Sequence, residues 1–154
     1  MSTLSLVIRA AEPGDAAWIV PLIRAHAQFE GTVASVSMEE LAAVLGAEEP
    51  PTHIMVAAQG AHLLGYAAMT CDFSLWRARR WAHLDYLFVV ESARGQGVGA
   101  KLLAAAIVYA RSINADRIEW QTPLDNAPAI AFYLHHGASA APKMRFVFAL
   151  THEE

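Results

Sequence analysis

Cysteine is nearly missing from this chain: Cys71 stands alone among 154 residues. One thiol excludes any internal disulfide, which fits a reducing compartment. Charged residues are few, at 17%, and the formal net charge is −4. No basic stripe of the kind that grips a polyanion is visible, so no nucleic-acid partner is expected. Long apolar runs are missing too. The longest without a charge, residues 102–110, is too short to cross a bilayer, so no membrane partner is expected either. Arg9, Glu12 and Asp15 interrupt the N-terminus, which has no apolar secretory core, and a cytoplasmic location is expected. The seven histidines, His26, His53, His62, His83, His135, His136 and His152, never fall at His-x-His or His-x-x-x-His spacing. That pattern predicts no metal site.

What is present is an apolar fraction of 55%, enough for the core of one domain spanning residues 1–154. Residues 4–10 read as a strand. Glu12-Pro13-Gly14-Asp15 is turn chemistry, with Asp15 as the expected N-cap of a helix reaching residue 29. Ser37 and Glu40 have capping-box spacing and open a helix to residue 45. Residues 54–58 and 63–70 read as strands joined by a tight turn, and 73–80 as a loop. A central strand is expected at 81–90, a helix at 100–113, a strand at 118–122, a helix at 128–136 stopped by Gly137, and a last strand at 145–150. This order predicts an α/β fold: one mixed sheet with helices on both faces.

Between the central strand and the long helix lies Arg94-Gly95-Gln96-Gly97-Val98-Gly99. Glycines at alternate positions let backbone N–H groups approach a ligand without side-chain obstruction. The helix start behind them adds unpaired N–H donors and the positive end of a dipole, which suits a pyrophosphate. Gly95-x-Gly97-x-x-Ala100 also fits the loose dinucleotide fingerprint. However, four residues separate it from its strand, three strands precede it, and the acidic residue expected downstream would be Glu119, inside a strand. No Gly-Lys-Ser/Thr is present, so a Walker loop is excluded. A glycine turn with no ligand is the plain alternative.

Arg94-x-x-Gly97-x-Gly99 resembles the Arg/Gln-x-x-Gly-x-Gly/Ala signature of the GNAT superfamily of acetyl-CoA-dependent N-acetyltransferases. Leu84-Asp85-Tyr86-Leu87-Phe88-Val89 and Asp125-Asn126-Ala127-Pro128-Ala129-Ile130-Ala131-Phe132-Tyr133 resemble its diamine and polyamine (spermidine/spermine) branch. Gln28-Phe29-Glu30-Gly31 and Phe73-Ser74-Leu75-Trp76 resemble further stretches of that branch. The resemblance implies the GNAT fold: a single, mostly antiparallel mixed sheet whose two central strands splay into a V. It implies acetyl-CoA as cofactor, with pantetheine along Phe88, Val89 and Val90 and pyrophosphate on Arg94, Gly95, Gln96, Gly97, Val98, Gly99 and Ala100. Asn126 and Tyr133 would also contact the cofactor, and a homodimer is implied.

The implied reaction moves an acetyl group from a thioester to a primary amine of a small molecule: a diamine, a polyamine or a lysine-like amino acid. An alkylammonium titrates at about 10.4, so a base must take its proton. Asp85 is the expected base or amine-binding residue. The family position is usually glutamate, so this carboxylate is one methylene shorter, and a bridging water is the natural remedy. A strand-end aspartate in a polar contact is the plain alternative. Tyr133 matches the family's general acid; otherwise it is a half-buried packing aromatic. A backbone N–H near Val89 would hold the developing oxyanion. Asn126 also reads as a plain helix N-cap. Glu30 reads as an acceptor-site acid or a solvated helix end. His83, two residues from Asp85 and on its face, reads as a surface histidine or a partner in proton relay. Cys71 reads as a small core residue, and Arg77, Arg79 and Arg80 as a solvated basic loop or a cofactor 3′-phosphate or dimer contact. Other functions compatible with the residues are acetylation of a protein N-terminus or an antibiotic amine, and a non-catalytic acyl-CoA sensor. The acidic balance disfavours an aminoacyl-tRNA acceptor.

Overall fold

A computed structural model describes residues 4–151. It divides into two compact units, Met1–Trp120 and Gln121–Glu154. The first holds a five-stranded sheet in the order β1-β2-β3-β4-β5, made of β1 (Leu6–Ala10), β2 (His53–Gln59), β3 (His62–Ser74), β4 (Arg79–Val89) and β5 (Ile118–Glu119). The first four strands pair antiparallel, and β5 joins β4 in parallel. This is the expected mixed, mostly antiparallel sheet.

Helices cover both faces. Helix α1 (Ala16–Phe29) and α2 (Met38–Leu45) pack Ile19, Val20, Leu22 and Leu41 onto Ile54, Val56, Tyr66, Ala68 and Phe88. The predicted capping box opens α2: Ser37 Oγ accepts from the Glu40 N–H at 3.1 Å, and the Glu40 carboxylate accepts from the Ser37 N–H at 2.9 Å. Helix α3 (Val98–Ser112) lies on the opposite face and buries Val98, Leu102, Leu103, Ala106 and Ala110. Its approach depends on Gly65, where a Cβ would sit 2.5 Å from the Phe88 carbonyl and 3.2 Å from Leu102 Cδ1. The ring of His53 stacks on Tyr109 of α3 at 3.8 Å and 4°.

Several expectations need correction. Asp15 precedes α1 without a side-chain cap. Its carboxylate instead accepts from the Arg9 guanidinium at 2.7 and 2.9 Å and from the Glu12 N–H at 2.8 Å. The expected loop at 73–80 is mostly ladder: β3 and β4 continue to a pair between Ser74 and Arg79. Cys71 lies on that extension and is exposed, not a core residue. Arg77 is paired with Asp116 through two hydrogen bonds of 2.6 and 3.1 Å. β5 is two residues long rather than five.

In the second unit, α4 (Ala127–His135) follows Asn126, whose side chain accepts from the Ala129 N–H at 3.4 Å. Gly137 follows its last turn at φ 93°, a conformation glycine adopts without strain. The strand expected at 145–150 does not form; Phe146, Val147 and Phe148 are exposed at 86, 76 and 88%. Alternating apolar residues make a strand only where a neighbouring strand supplies the ladder. His152 lies outside the described residues.

Candidate active site

Two features of β4 build the site. The first is where its pairing to β5 stops. Among the described residues only Ala82 and His83 have partners there, Ile118 and Glu119, whereas β4 continues to Val89. Among the described residues, no strand lies beside the edge of residues 84–89 that faces away from β3, as the expected splay requires.

The second is a β-bulge. Tyr86 pairs with Ala68 and Leu84 with Met69, so Asp85 is the extra residue, opposite no single residue of the β3 ladder. Strict alternation would put Asp85 and Phe88 on opposite faces. The extra residue resets the alternation, so that His83, Asp85, Tyr86 and Phe88 share the face carrying Tyr66, Ala68 and Thr70. Asp85 is held firmly there. Its Oδ2 accepts from Thr70 Oγ1 at 2.8 Å, and its Oδ1 lies 2.6 Å from His83 Nδ1. Both side chains are about a quarter exposed, 24% for His83 and 26% for Asp85. His83 is thus a partner of Asp85 rather than a surface histidine.

Farther along the same face, His26 of α1 is buried, with Phe88 stacked on it at 4.9 Å and 15°. Its Nδ1 lies 2.6 Å from the Tyr66 hydroxyl and its Nε2 lies 3.2 Å from the Glu30 carboxylate. A carboxylate only accepts, so Nε2 carries the hydrogen, Nδ1 accepts, and Tyr66 donates. Burial agrees with this order: it pushes His26 below its ordinary pKa, against the opposing pull of Glu30, and pushes the Tyr66 phenol upward. Glu30, one of the expected substrate residues, therefore sits at the C-terminal end of α1, tied to a buried ring. The sequence held a signal for this pair in the i,i+4 spacing of His26 and Glu30. It held none for Thr70 or for the bulge.

Past β4, Val90 N–H donates to the Leu64 carbonyl at 2.9 Å, and a short 3-10 turn, Glu91–Ala93, leads into the glycine loop. Gly95 and Gly97 have φ of 74° and 83°, which disfavour any side chain although the space beside them is open. The side chains of the loop bond back to the chain. Arg94 Nε donates to the Val89 carbonyl at 2.9 Å, with its guanidinium over the Phe29 and Phe88 rings, and Gln96 Nε2 donates to the Ser92 carbonyl at 3.2 Å. The first-turn N–H groups of α3, on Val98, Gly99 and Ala100, have no intrahelical acceptor, and no side chain caps them. This donor set fits a pyrophosphate: main-chain amides, a left-handed glycine cradle and a helix dipole.

Phe88, Val89, Val90, the loop and Ala100 thus form one continuous stretch of the first unit with Asp85 and Glu30 on the adjoining face. Asn126 and Tyr133 belong to the second unit. There Asn126 caps α4, and the half-buried Tyr133 ring lies 5.3 Å from that of Phe132. Among the described residues no three His, Cys, Asp or Glu side chains cluster as a metal site, and no helix is long and apolar enough to cross a membrane.

Residues 22–138 match the family described as Acetyltransferase (GNAT) family. The chain belongs to the GNAT family. It is 31% identical over 130 residues to an uncharacterized N-acetyltransferase, YhfO, of Bacillus subtilis, covering 84% of this chain and 87% of that one. It is 32% identical over 108 residues to thialysine N-epsilon-acetyltransferase of Bos taurus, covering 64% of this chain and 63% of the relative, just under two thirds of its length. In structure it resembles an aminoglycoside acetyltransferase from an uncultured soil metagenomic sample, with a TM-score of 0.81 over 95% of this chain and 97% of the other. At 18% identity that likeness establishes the fold alone. This GNAT chain is an acetyl-CoA-dependent acetyltransferase, and acetyl-CoA supplies it with an acetyl group activated as a thioester.

Proposed function

We propose that this chain acetylates the primary amine of a small, cationic molecule: a diamine, a polyamine or a lysine-like amino acid. The observation that carries the proposal is the polar cluster at the β4 bulge. A carboxylate there is held beside an imidazole on a face that also carries the rings of Tyr66, Tyr86 and Phe88. Such a site attracts an ammonium and offers its proton a destination. The similarity to a thialysine N-epsilon-acetyltransferase supports the same substrate class, since thialysine ends in a primary amine.

In this proposal main-chain N–H groups of Gly95, Gln96, Gly97, Val98, Gly99 and Ala100 hold the pyrophosphate, and the stretch Phe88, Val89 and Val90, where β4 ends, lies along the pantetheine. Asp85 marks the end of the site where the amine's proton goes, and Glu30 adds negative charge to the acceptor side. On the family motif, Tyr133 gives the departing thiolate its proton, and Asn126 contacts the cofactor while capping α4. Residues 1–154 act as one catalytic domain. Transfer is direct, within a ternary complex. We further expect a cytoplasmic homodimer, which light scattering on the purified chain checks for size.

The test is steady-state thiol release over a panel holding putrescine, spermidine, thialysine, lysine, an N-terminal peptide and an aminoglycoside. Turnover should be highest among the first four. Acetyl-CoA uptake by calorimetry with no turnover on any amine would make the chain a sensor. Preference for the peptide or the aminoglycoside would overturn the substrate class.

A further inference from the structure

We infer that His83, not Asp85, is the group that takes the amine's proton, and that Asp85 is the positioning residue that aims the ring. The inference deepens the proposed acetyl transfer and rests on it. The carboxylate of Asp85 is already committed: one oxygen to Thr70 at 2.8 Å, the other to His83 Nδ1 at 2.6 Å. A carboxylate accepts, so Nδ1 carries the ring hydrogen. In the neutral ring the lone pair then belongs to Nε2, the nitrogen at the far end from Asp85. A carboxylate fixing the tautomer of an imidazole is the arrangement that makes the distal nitrogen a directed base.

Reach points to the same group. An aspartate one methylene shorter than glutamate sits closer to its own strand, and the imidazole extends the acid by the length of a ring. His83 is also the residue at which β4 and β5 part, being the last pair of the parallel ladder, opposite Glu119. From His83 to Val89 the strand runs at most roughly 20 Å at ~3.3 Å per residue, so the base lies at one end of the open edge and the glycine loop beyond the other. The ionisable groups facing His83 are Asp85 on its own strand and Glu119 across the ladder. Farther along the same face are Tyr86 on β4, Tyr66 on β3, and His26 and Glu30 on α1. None of these others bonds to the His83 ring.

The ammonium gives one proton to Nε2, while Nδ1–H keeps its bond to the Asp85 carboxylate. The freed amine lone pair forms the new N–C bond while the C–S bond breaks and its electron pair leaves on sulfur. As the amide forms, nitrogen loses its second proton; in the proposed role of Tyr133 that proton replaces the one its phenol gives to sulfur, so the phenol ends as it began. The proton on His83 returns to solvent.

The experiment uses the full chain carrying 15N-labelled histidine. Imidazole nitrogen shifts should report the Nδ1–H tautomer for neutral His83 and loss of that preference in Asp85→Asn. Kinetically, His83→Asn keeps an N–H for Asp85 but has no basic nitrogen. It should lower kcat by about 100-fold with acetyl-CoA affinity unchanged. His83→Ala should fall similarly and recover part of its rate when free imidazole is added, a rescue that a packing role would not show. The Nε2–H tautomer in the wild type, or a His83→Asn rate within threefold of wild type at unchanged melting temperature, overturns the inference while leaving acetyl transfer standing. A wild-type chain that turns over no amine overturns both, whatever the tautomer.

Discussion

Two histidines on one sheet face make an instructive pair. His26 and His83 each meet a carboxylate and each stand near a hydroxyl-bearing residue of β3, Tyr66 or Thr70. Yet the two clusters are wired differently. In the first, the histidine is the middle member: Tyr66 donates to one nitrogen and Glu30 accepts from the other, so both are occupied. In the second, the aspartate is the middle member, and the ring hangs at the end of the chain with one nitrogen committed. The middle ring is buried under Phe88, and the terminal ring is a quarter exposed. A satisfied, buried imidazole suits a structural role; an aimed, accessible one suits the proton transfer proposed for His83.

Truncating each ring to alanine separates the two roles. His83→Ala should lose about 100-fold in kcat while the unfolding midpoint in urea barely moves. His26→Ala removes a buried stacked ring and leaves the Tyr66 hydroxyl without its acceptor, so stability should fall by about 2–4 kcal/mol at unchanged m. Equal damage to rate and stability in both variants would erase the distinction.

Much of this architecture was legible because it depends on local chemistry. The capping box at Ser37 and Glu40, the Asn126 cap, and the glycine loop before α3 all follow from short spacings and backbone needs. The helix faces follow from periodicity. The failures share a different origin. Whether residues 145–150 form a strand depends on a partner, and the pattern of Phe146 and Phe148 is silent about one. The bulge at Asp85 arises from register between two strands, which alternation within one strand cannot show. That one inserted residue turns Asp85 toward the aromatic face, and with it the composition of the site. Thr70 was invisible for the same reason: its bond to Asp85 crosses fifteen positions of sequence.

Single hydroxyls sharpen the contrast. Tyr66→Phe leaves His26 Nδ1 buried and unpaired and should cost about 1–3 kcal/mol of stability. Thr70→Val removes one of two bonds that fix Asp85, so its effect should appear in kcat, at roughly fivefold, about 1 kcal/mol. It should be milder than His83→Asn because the carboxylate keeps its bond to the ring. Denaturant melts and amine kinetics on both variants check the pair. A Thr70→Val loss that falls on stability alone would place the bulge cluster among the structural contacts.

The smallest effect is the one pH should reveal. Burial holds His26 below its ordinary value of 6.5, with Glu30 opposing and Arg94 assisting, and burial alone does the same for His53. The unfolded chain binds protons near 6.5 while the folded rings still refuse them, so the unfolded state gains protons first as pH falls. Stability therefore drops below about pH 6.5, until the folded rings titrate as well. Asp15 acts in a lower window: its bonds to Arg9 hold it below 3.8, and their contribution is lost only as pH falls beneath that value. Scanning calorimetry between about pH 7.5 and 5.5 should thus show a falling Tm that a His26→Asn, His53→Asn double variant flattens. A wild-type Tm independent of pH across that range would mean that the buried ring takes up its proton in place, and the wiring assigned to Tyr66, His26 and Glu30 would have to be reversed.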